Sequence, residues 1–347
     1  MEIPIKQLSG KRGVIGVLVI CLPLLCISYH SAQLAVKQQF RVSETLSAAK
    51  RQLIPDKKGD TKNQEIIISE RVKAMNDYCN TLDQQILQKT VHGKNSPYFH
   101  LYVDDKHKFI FCTIAKVACS NWKRLMLGLA GLKDPFRRRS IHVHDDPELL
   151  HMKLLSYSPN EIEYRLKHYT KAILVRHPLE RTISAYRNKF NESSGRTPSS
   201  RIYRPKIIRK YRPDLPEKAI REGARVTFQE FVRYLTHPLD FPELEPWDHM
   251  NVHWEPYITS CDPCAVRYDI VAKYETLDED VSFILNKINA SDMIRWPKRS
   301  EYYNKIPTSQ IVSEALKDIS SENLKALNAI YYHDYKMFGY EFQEKEY

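Results

Sequence analysis

From Lys108 onward, short apolar runs alternate with stretches of helical period, and this alternation restricts the fold more than any other feature of the sequence. Lys108 to Ile114 (KFIFCTI) reads as a buried strand; beyond a short turn, Trp122, Leu125, Met126 and Leu129 recur at helical spacing. Ser120 suits the N-cap of that helix and Gly131 its C-terminal stop. The plan repeats with Lys171 to Val175 and a helix carrying Leu179, Ile183, Tyr186 and Phe190 on one face, then with Asp269 to Lys273 and Leu277 to Asn286. Such repetition predicts an α/β domain with a parallel, doubly wound sheet flanked by helices. At 347 residues and 42% hydrophobic, the chain can bury a sizeable core, which excludes wholesale disorder.

The N-terminal segment bears on compartment. Lys6, Lys11 and Arg12 precede an uncharged run from Gly13 to Tyr29, at the lower limit of membrane-spanning length. A cleaved signal peptide shares this order, but the run is long for its apolar region and SYHSAQLA is a mediocre cleavage site, which favours an uncleaved signal anchor. The basic flank then keeps residues 1–12 cytosolic and sends the rest into the lumen, a single-pass type II arrangement. Residues 30–96 are polar and weakly periodic and read as a luminal stem, with the compact domain over 97–347. The sequons at Asn191 and Asn289 agree with luminal placement.

Cysteine usage fits an oxidising compartment. Cys21 and Cys26 lie in the apolar run, leaving Cys79, Cys112, Cys119, Cys261 and Cys264 beyond it, an odd number that leaves one thiol free or paired between chains. Cys261-Asp262-Pro263-Cys264 has the spacing of a redox or zinc half-site. With no second CxxC or HxxxH to complete a zinc site, a structural disulfide or a core-packed pair is the expectation. No metal site is expected anywhere.

The net charge of +11 calls for an acidic partner. Between Lys116 and Arg233 there are 26 Lys+Arg and 12 Asp+Glu, a net +14, so the remainder carries about −3. Nucleic acid would suit this charge, but a luminal address argues against it.

The chemistry concentrates at the first two strand-to-helix turns. In Ala115-Lys116-Val117-Ala118-Cys119-Ser120-Asn121-Trp122, a lysine and small residues follow the strand and a hydroxyl opens the helix, the components of an anion cradle. An ordinary capped turn has the same composition, and the glycines of a Walker A loop are absent. The second turn, Val175-Arg176-His177-Pro178-Leu179-Glu180-Arg181-Thr182-Ile183-Ser184, places Arg176 at a strand end with Ser184 one to two helical turns on, so both can reach one phosphate. Glu180 and Arg181 equally suit a helix surface.

Together these segments resemble the donor-binding motifs of Golgi carbohydrate sulfotransferases, the family containing the chondroitin and dermatan 4-O-sulfotransferases. That family shows PKVACTNWKR and RxPxERLxSAYRxKF; this chain has AKVACSNWKR and RHPLERTISAYRNKF. Asn251-Val252-His253-Trp254, the CDPC segment and Lys273-Tyr274-Glu275-Thr276-Leu277 resemble its downstream blocks, in the same order from about Tyr98 to the C-terminus. Ala115 replaces the usual proline and Ser120 the usual threonine; the hydroxyl is kept and only a fixed φ is relaxed.

The resemblance implies a P-loop-like sulfotransferase fold with a central, mostly parallel sheet. It also implies 3′-phosphoadenosine 5′-phosphosulfate as donor, a sugar hydroxyl as acceptor and no metal requirement. Ala115, Lys116, Val117, Ala118, Cys119, Ser120 and Asn121 then hold the 5′ end of the donor, with Lys116 supporting the leaving group. The segment Arg176, His177, Pro178, Leu179, Glu180, Arg181, Thr182, Ile183 and Ser184 holds the 3′-phosphate, Arg176 and Ser184 directly.

His253 is the candidate general base because an ordinary histidine, with a pKa of about 6.5, accepts a proton at Golgi pH. A packing role is the alternative, and Asp248, Glu255, His142 and His144 are rivals. Arg137, Arg138 and Arg139, with Arg201, Arg204, Lys206, Arg209, Lys210 and Arg212, read either as a groove for an acidic glycosaminoglycan or as solvated loops, especially over Glu192 to Pro205. The favoured acceptor is position 4 of N-acetylgalactosamine in chondroitin. Other readings are dermatan, terminal N-acetylgalactosamine or a glucuronate cap, or an inactive luminal glycan-binding protein.

Overall fold

The computed structural model describes residues 57–83, 96, 98–191, 198–244, 250–297 and 308–342. The apolar run 13–29, Asp248 and part of the 192–205 segment lie outside them. From Thr61 onward the described residues form one compact unit.

A four-stranded sheet organises that unit: β1 (Leu101–Asp104), β2 (Phe109–Cys112), β3 (Thr170–Val175) and β4 (Ile270–Lys273), in spatial order β1-β2-β3-β4. β2, β3 and β4 are parallel, with Cys112 opposite Ile173 and Val175 opposite Lys273. β1 makes an antiparallel hairpin with β2, pairing Asp104 with Phe109. The three expected strand-helix units are present, whereas β1 is an addition to the expectation. Among the described residues the strands succeed one another in chain order without reversal, so the sheet is mostly parallel but not doubly wound in the sense of a switch point.

The helices used below are α1 (Lys57–Thr81), α2 (Cys119–Leu129), α3 (Ser140–Val143), α4 (Pro147–His151), α5 (Pro159–His168), α6 (Pro178–Tyr186), α7 (Pro198–Tyr211), α8 (Glu217–Glu222), α9 (Phe228–Thr236), α10 (Tyr257–Ser260), α11 (Pro263–Val266) and α12 (Leu277–Lys287). α2 ends as predicted: Gly131 takes φ 103°, with Gly131 N–H on the Gly128 carbonyl and Leu132 N–H on the Leu127 carbonyl, the paired bonds of a Schellman stop. Its start differs. The N-cap is Ala118 in the left-handed region, and Ser120 lies inside the first turn with its hydroxyl directed elsewhere.

Two hydrophobic cores support the site. One surrounds the sheet and includes Phe111, Trp122, Leu174 and Ile284; the other is helical and gathers Phe190, Tyr203, Phe231 and Tyr234 around the fully buried Trp254. Burying large side chains of this kind stabilises by roughly 1.5–3 kcal/mol each.

Part of the segment read as a stem is built into the first core. α1 buries Ile68, Met75 and Cys79, and its Arg71 pairs with the buried Asp280 at 2.7 Å. Cys79 is bonded to Cys264, and Cys112 at the end of β2 to Cys261. The CDPC cysteines are therefore structural but not bonded to each other, and neither thiol remains for redox or zinc chemistry. Cys119 is the free thiol among the described residues.

Candidate active site

The first turn follows β2 directly, and its backbone is bent in an unusual way. Lys116 and Ala118 both have positive φ, 71° and 58°. Non-glycine residues in the left-handed region cost about 1–3 kcal/mol each and persist where the surroundings hold them. Flanking Val117, they alternate in hand, which curves successive backbone N–H groups into a concave surface continuous with the N-terminus of α2. Val117 is buried and pins the turn to the core, while Ala115, Lys116, Ala118, Cys119 and Ser120 stay partly accessible. Asn121 is turned along the helix, where its Oδ1 accepts from Arg124 at 2.6 Å.

The second turn leaves β3 and enters α6. Arg176 Nε and Nη2 both donate to Glu180 at 3.2 Å, and the guanidinium lies 4.5 Å over the Tyr274 ring. Its backbone N–H donates to the Tyr257 hydroxyl, and the next one, from His177, to Glu275. Ser184 is half-buried on the same helix. The structure corrects the sequence reading for other members of the motif. Pro178, Leu179, Thr182 and Ile183 are packed in the core, so their side chains do not face a ligand. Arg181 is not a surface charge but 1% exposed, donating to the backbone carbonyls of Ala115 and Glu255.

His253 sits beside the immobilised Trp254. Its backbone N–H and its Nδ1 both meet Asn251 Oδ1. A backbone N–H can only donate, so that amide atom is the oxygen, Nδ1 carries the ring proton, and Nε2 keeps its lone pair. Burial, then the charges of Lys189, Lys116 and Arg181, pull the His253 pKa down to about 3. The site thus lowers the value of 6.5 assumed for an ordinary histidine and favours the neutral ring.

The same influences map the rest of the cluster. Lys189 lies on a single π-helical turn, Arg187–Asn191, extending α6, a distortion that often marks functional sites. Its pKa is lowered by burial, as is that of Lys123. His144 contacts Ser120 and Lys123, each at 3.1 Å, and partial burial followed by the Lys123 charge lowers its pKa to about 4. Lys116, Ser120, Lys123, His144, Lys189 and His253 are therefore linked by hydrogen bonds and mutual charge effects into one cationic cluster around two imidazoles of lowered pKa. Sequence reasoning passes over Lys123 and Lys189 as binding groups, although both stand inside the quoted motifs.

Of the rival bases, Glu255 is 3% exposed in the core, and its pKa is raised by that burial. His142 is exposed on α3. The arginine and lysine run is largely neutralised within the fold: Arg209 pairs with Glu217, Lys210 with Asp240, Arg212 with Glu230 and Lys206 with Glu243. From Pro198 onward this run is helix α7 rather than loop, and Arg138 pairs with Asp146.

The model of the sulfotransferase family matches residues 99–341. The chain is 39% identical over 244 residues to carbohydrate sulfotransferase 11 of Rattus norvegicus, covering 70% of this chain and 67% of that protein. It is 38% identical over 241 residues to carbohydrate sulfotransferase 14 of Danio rerio, covering 70% and 62%, and 37% identical over 264 residues to carbohydrate sulfotransferase 9 of Homo sapiens, covering 72% and 56%. No solved structure matches at comparable significance.

Proposed function

The chain belongs to the sulfotransferase family and uses 3′-phosphoadenosine 5′-phosphosulfate as its donor, and we propose that its acceptor is a glycosaminoglycan, at position 4 of N-acetylgalactosamine in chondroitin. The observation that carries the reading is the placement of His253: its Nδ1–H is fixed on Asn251 Oδ1, which leaves Nε2 as the basic atom, and it lies within reach of the charge of Lys116 on the strained first turn.

The residues present fit the donor. The concave turn from Lys116 to Ala118, the first turn of α2 and the Ser120 hydroxyl suit its 5′-phosphosulfate. Arg176, oriented by Glu180 and Tyr274, suits its 3′-phosphate together with Ser184. The donor supplies the sulfuryl group, whose bond to the acceptor oxygen forms as its bond to the 5′-phosphate oxygen breaks. His253 Nε2 takes the proton of the acceptor hydroxyl, and Lys116 stabilises negative charge on the departing phosphate. Lys189, whose charge like that of Lys116 acts on His253, supplies positive charge for an acidic sugar of the acceptor.

The family resemblance and the sequons support a further reading, that the enzyme is a type II Golgi membrane protein anchored by residues 13–29 with its catalytic domain luminal. The function is tested by incubating the full-length chain with radiolabelled donor and a panel of desulfated glycans, then digesting the product to disaccharides. Label on 4-sulfated N-acetylgalactosamine from chondroitin is expected. Label confined to dermatan or a terminal sugar reassigns the acceptor, and donor binding without transfer to any glycan supports a glycan-binding protein instead.

A further inference from the structure

His144 is joined to the first motif by two contacts that have one consistent arrangement of protons. Ser120 and Lys123, one turn apart on α2, present their polar atoms to the same ring. Ser120 Oγ lies 3.1 Å from Nε2, and Lys123 Nζ lies 3.1 Å from Nδ1. An ammonium group can only donate, so Nδ1 accepts from Lys123, and the proton of the neutral imidazole is on Nε2. Nε2–H in turn donates to Ser120 Oγ. With one lone pair of that oxygen engaged, its own O–H is left to point away from His144.

The ring is held for this contact. Arg124, next to Lys123, donates from Nε and Nη2 to the Arg138 carbonyl at 2.9 and 2.8 Å. Arg138 pairs with Asp146, which caps α4 by accepting from Glu148 N–H at 3.0 Å. His144, at the end of α3, lies between Arg138 and Asp146, so the segment carrying it is closed by that ion pair and tied to α2 through the Arg138 carbonyl.

We infer that His144 is a positioning residue: with its tautomer set by Lys123, it fixes the Ser120 hydroxyl so that the hydroxyl proton is presented to the 5′-phosphosulfate of the donor. The assignment rests on the reading of Ser120 as a donor-binding group. It separates the two imidazoles of the cluster by role. His144 has its Nδ1 lone pair occupied and its Nε2 protonated, so it cannot take the acceptor proton; His253 has the opposite tautomer and can.

The test is a double-mutant cycle on the full-length chain, with donor-product affinity measured by calorimetry using 3′-phosphoadenosine 5′-phosphate and donor KM measured separately. Ser120→Ala and His144→Ala should each raise donor KM about tenfold, the size of one hydrogen bond to a charged group. The double variant should be no worse than Ser120→Ala alone. His144→Gln, which keeps a donor near the Nε2 position, should restore most of the loss where Ser120 is kept and none when combined with Ser120→Ala. Product affinity should follow donor KM while the melting temperature stays near wild type. If the His144→Ala loss multiplies that of Ser120→Ala, or His144→Gln restores nothing, the positioning role is wrong. If Ser120→Ala alone leaves donor KM unchanged, the reading of Ser120 fails first and takes the inference with it.

Discussion

Arg181, on the second motif, donates its Nε proton to the carbonyl oxygen of Ala115, the first residue of the first motif, at 3.2 Å. Nη1 of the same guanidinium reaches the Glu255 carbonyl at 2.7 Å, and the group lies 4.7 Å over the Tyr257 ring. One buried cation therefore joins three blocks that are far apart in sequence: the donor turn, the α6 helix and the segment bearing His253. The position of Lys116 relative to His253 depends on this joint.

Arg181→Lys should accordingly be far from conservative, because a single ammonium cannot span both carbonyls or lie flat on Tyr257. A stability loss of about 2–3 kcal/mol is expected, with donor KM and kcat both impaired. Thermal melting and steady-state kinetics check this; wild-type values in both would show that the joint is dispensable.

The disulfides tie α1 and β2 to the α10–α11 corner. Native alkylation followed by mass spectrometry should label Cys119 and leave Cys79, Cys112, Cys261 and Cys264 unlabelled. Replacing Cys79 and Cys264 together should cost about 2–5 kcal/mol, as expected for a bridge closing a long loop. Labelling of Cys261 without reductant would contradict the pairing.

Acid should weaken the fold through its histidines. His100 and His144 have pKa values lowered to about 4 and His253 to about 3, burial being the largest cause in each. Below the unfolded value of about 6.5 the unfolded chain takes up protons that the folded one refuses, so stability falls as pH drops from there toward 4. Asp334, raised to about 7 by burial, and Glu255, also raised by burial, work in the opposite direction, but burial lowers His177 and His333 as well, so five histidines oppose two carboxyls. Melting temperature should therefore fall between pH 7 and 5. Meanwhile kcat/KM for the donor should show no His253 limb near 6.5, since that ring is already neutral. An acid limb at that pH which vanishes in His253→Ala would contradict the assigned environment.

The sequons offer a test of topology. Asn289 is exposed at a turn with φ 56°, whereas Asn191 is half-buried on the π-turn with its Oδ1 accepting from Arg225 at 3.3 Å. In secretory cells a glycosidase-sensitive mass shift should disappear in Asn289→Gln and persist in Asn191→Gln. No shift in the wild type would argue against the proposed luminal domain.

What can be read from the sequence is local in origin. Helical spacing of Trp122, Leu125, Met126 and Leu129, and the apolar runs of β2, β3 and β4, are set by neighbours in the chain. The four residues of β1 carry no such period. Sequence alone misplaces the N-cap at Ser120 because a hydroxyl is the ordinary cap, while the structure uses a strained Ala118 and turns the serine to His144. Arg181 passes for a surface charge because the carbonyls that receive it come from Ala115 and Glu255, remote in sequence. Lys206, Arg209, Lys210 and Arg212 look like a glycan groove for the same reason: Glu243, Glu217, Asp240 and Glu230, which pair with them, follow later in the chain. The acid strength of His253 is likewise invisible in the sequence, since burial and the charges of Lys116, Lys189 and Arg181 set it together.

On the proposed function, the role of His253 is to remove the acceptor proton while other residues hold the donor. Its most direct test compares sulfuryl transfer by His253→Ala with calorimetric binding of 3′-phosphoadenosine 5′-phosphate to the same protein. Turnover should fall by roughly 10²–10⁴, the usual contribution of a general base, while nucleotide affinity stays within about twofold of wild type. Near-normal turnover in the folded variant would contradict the account.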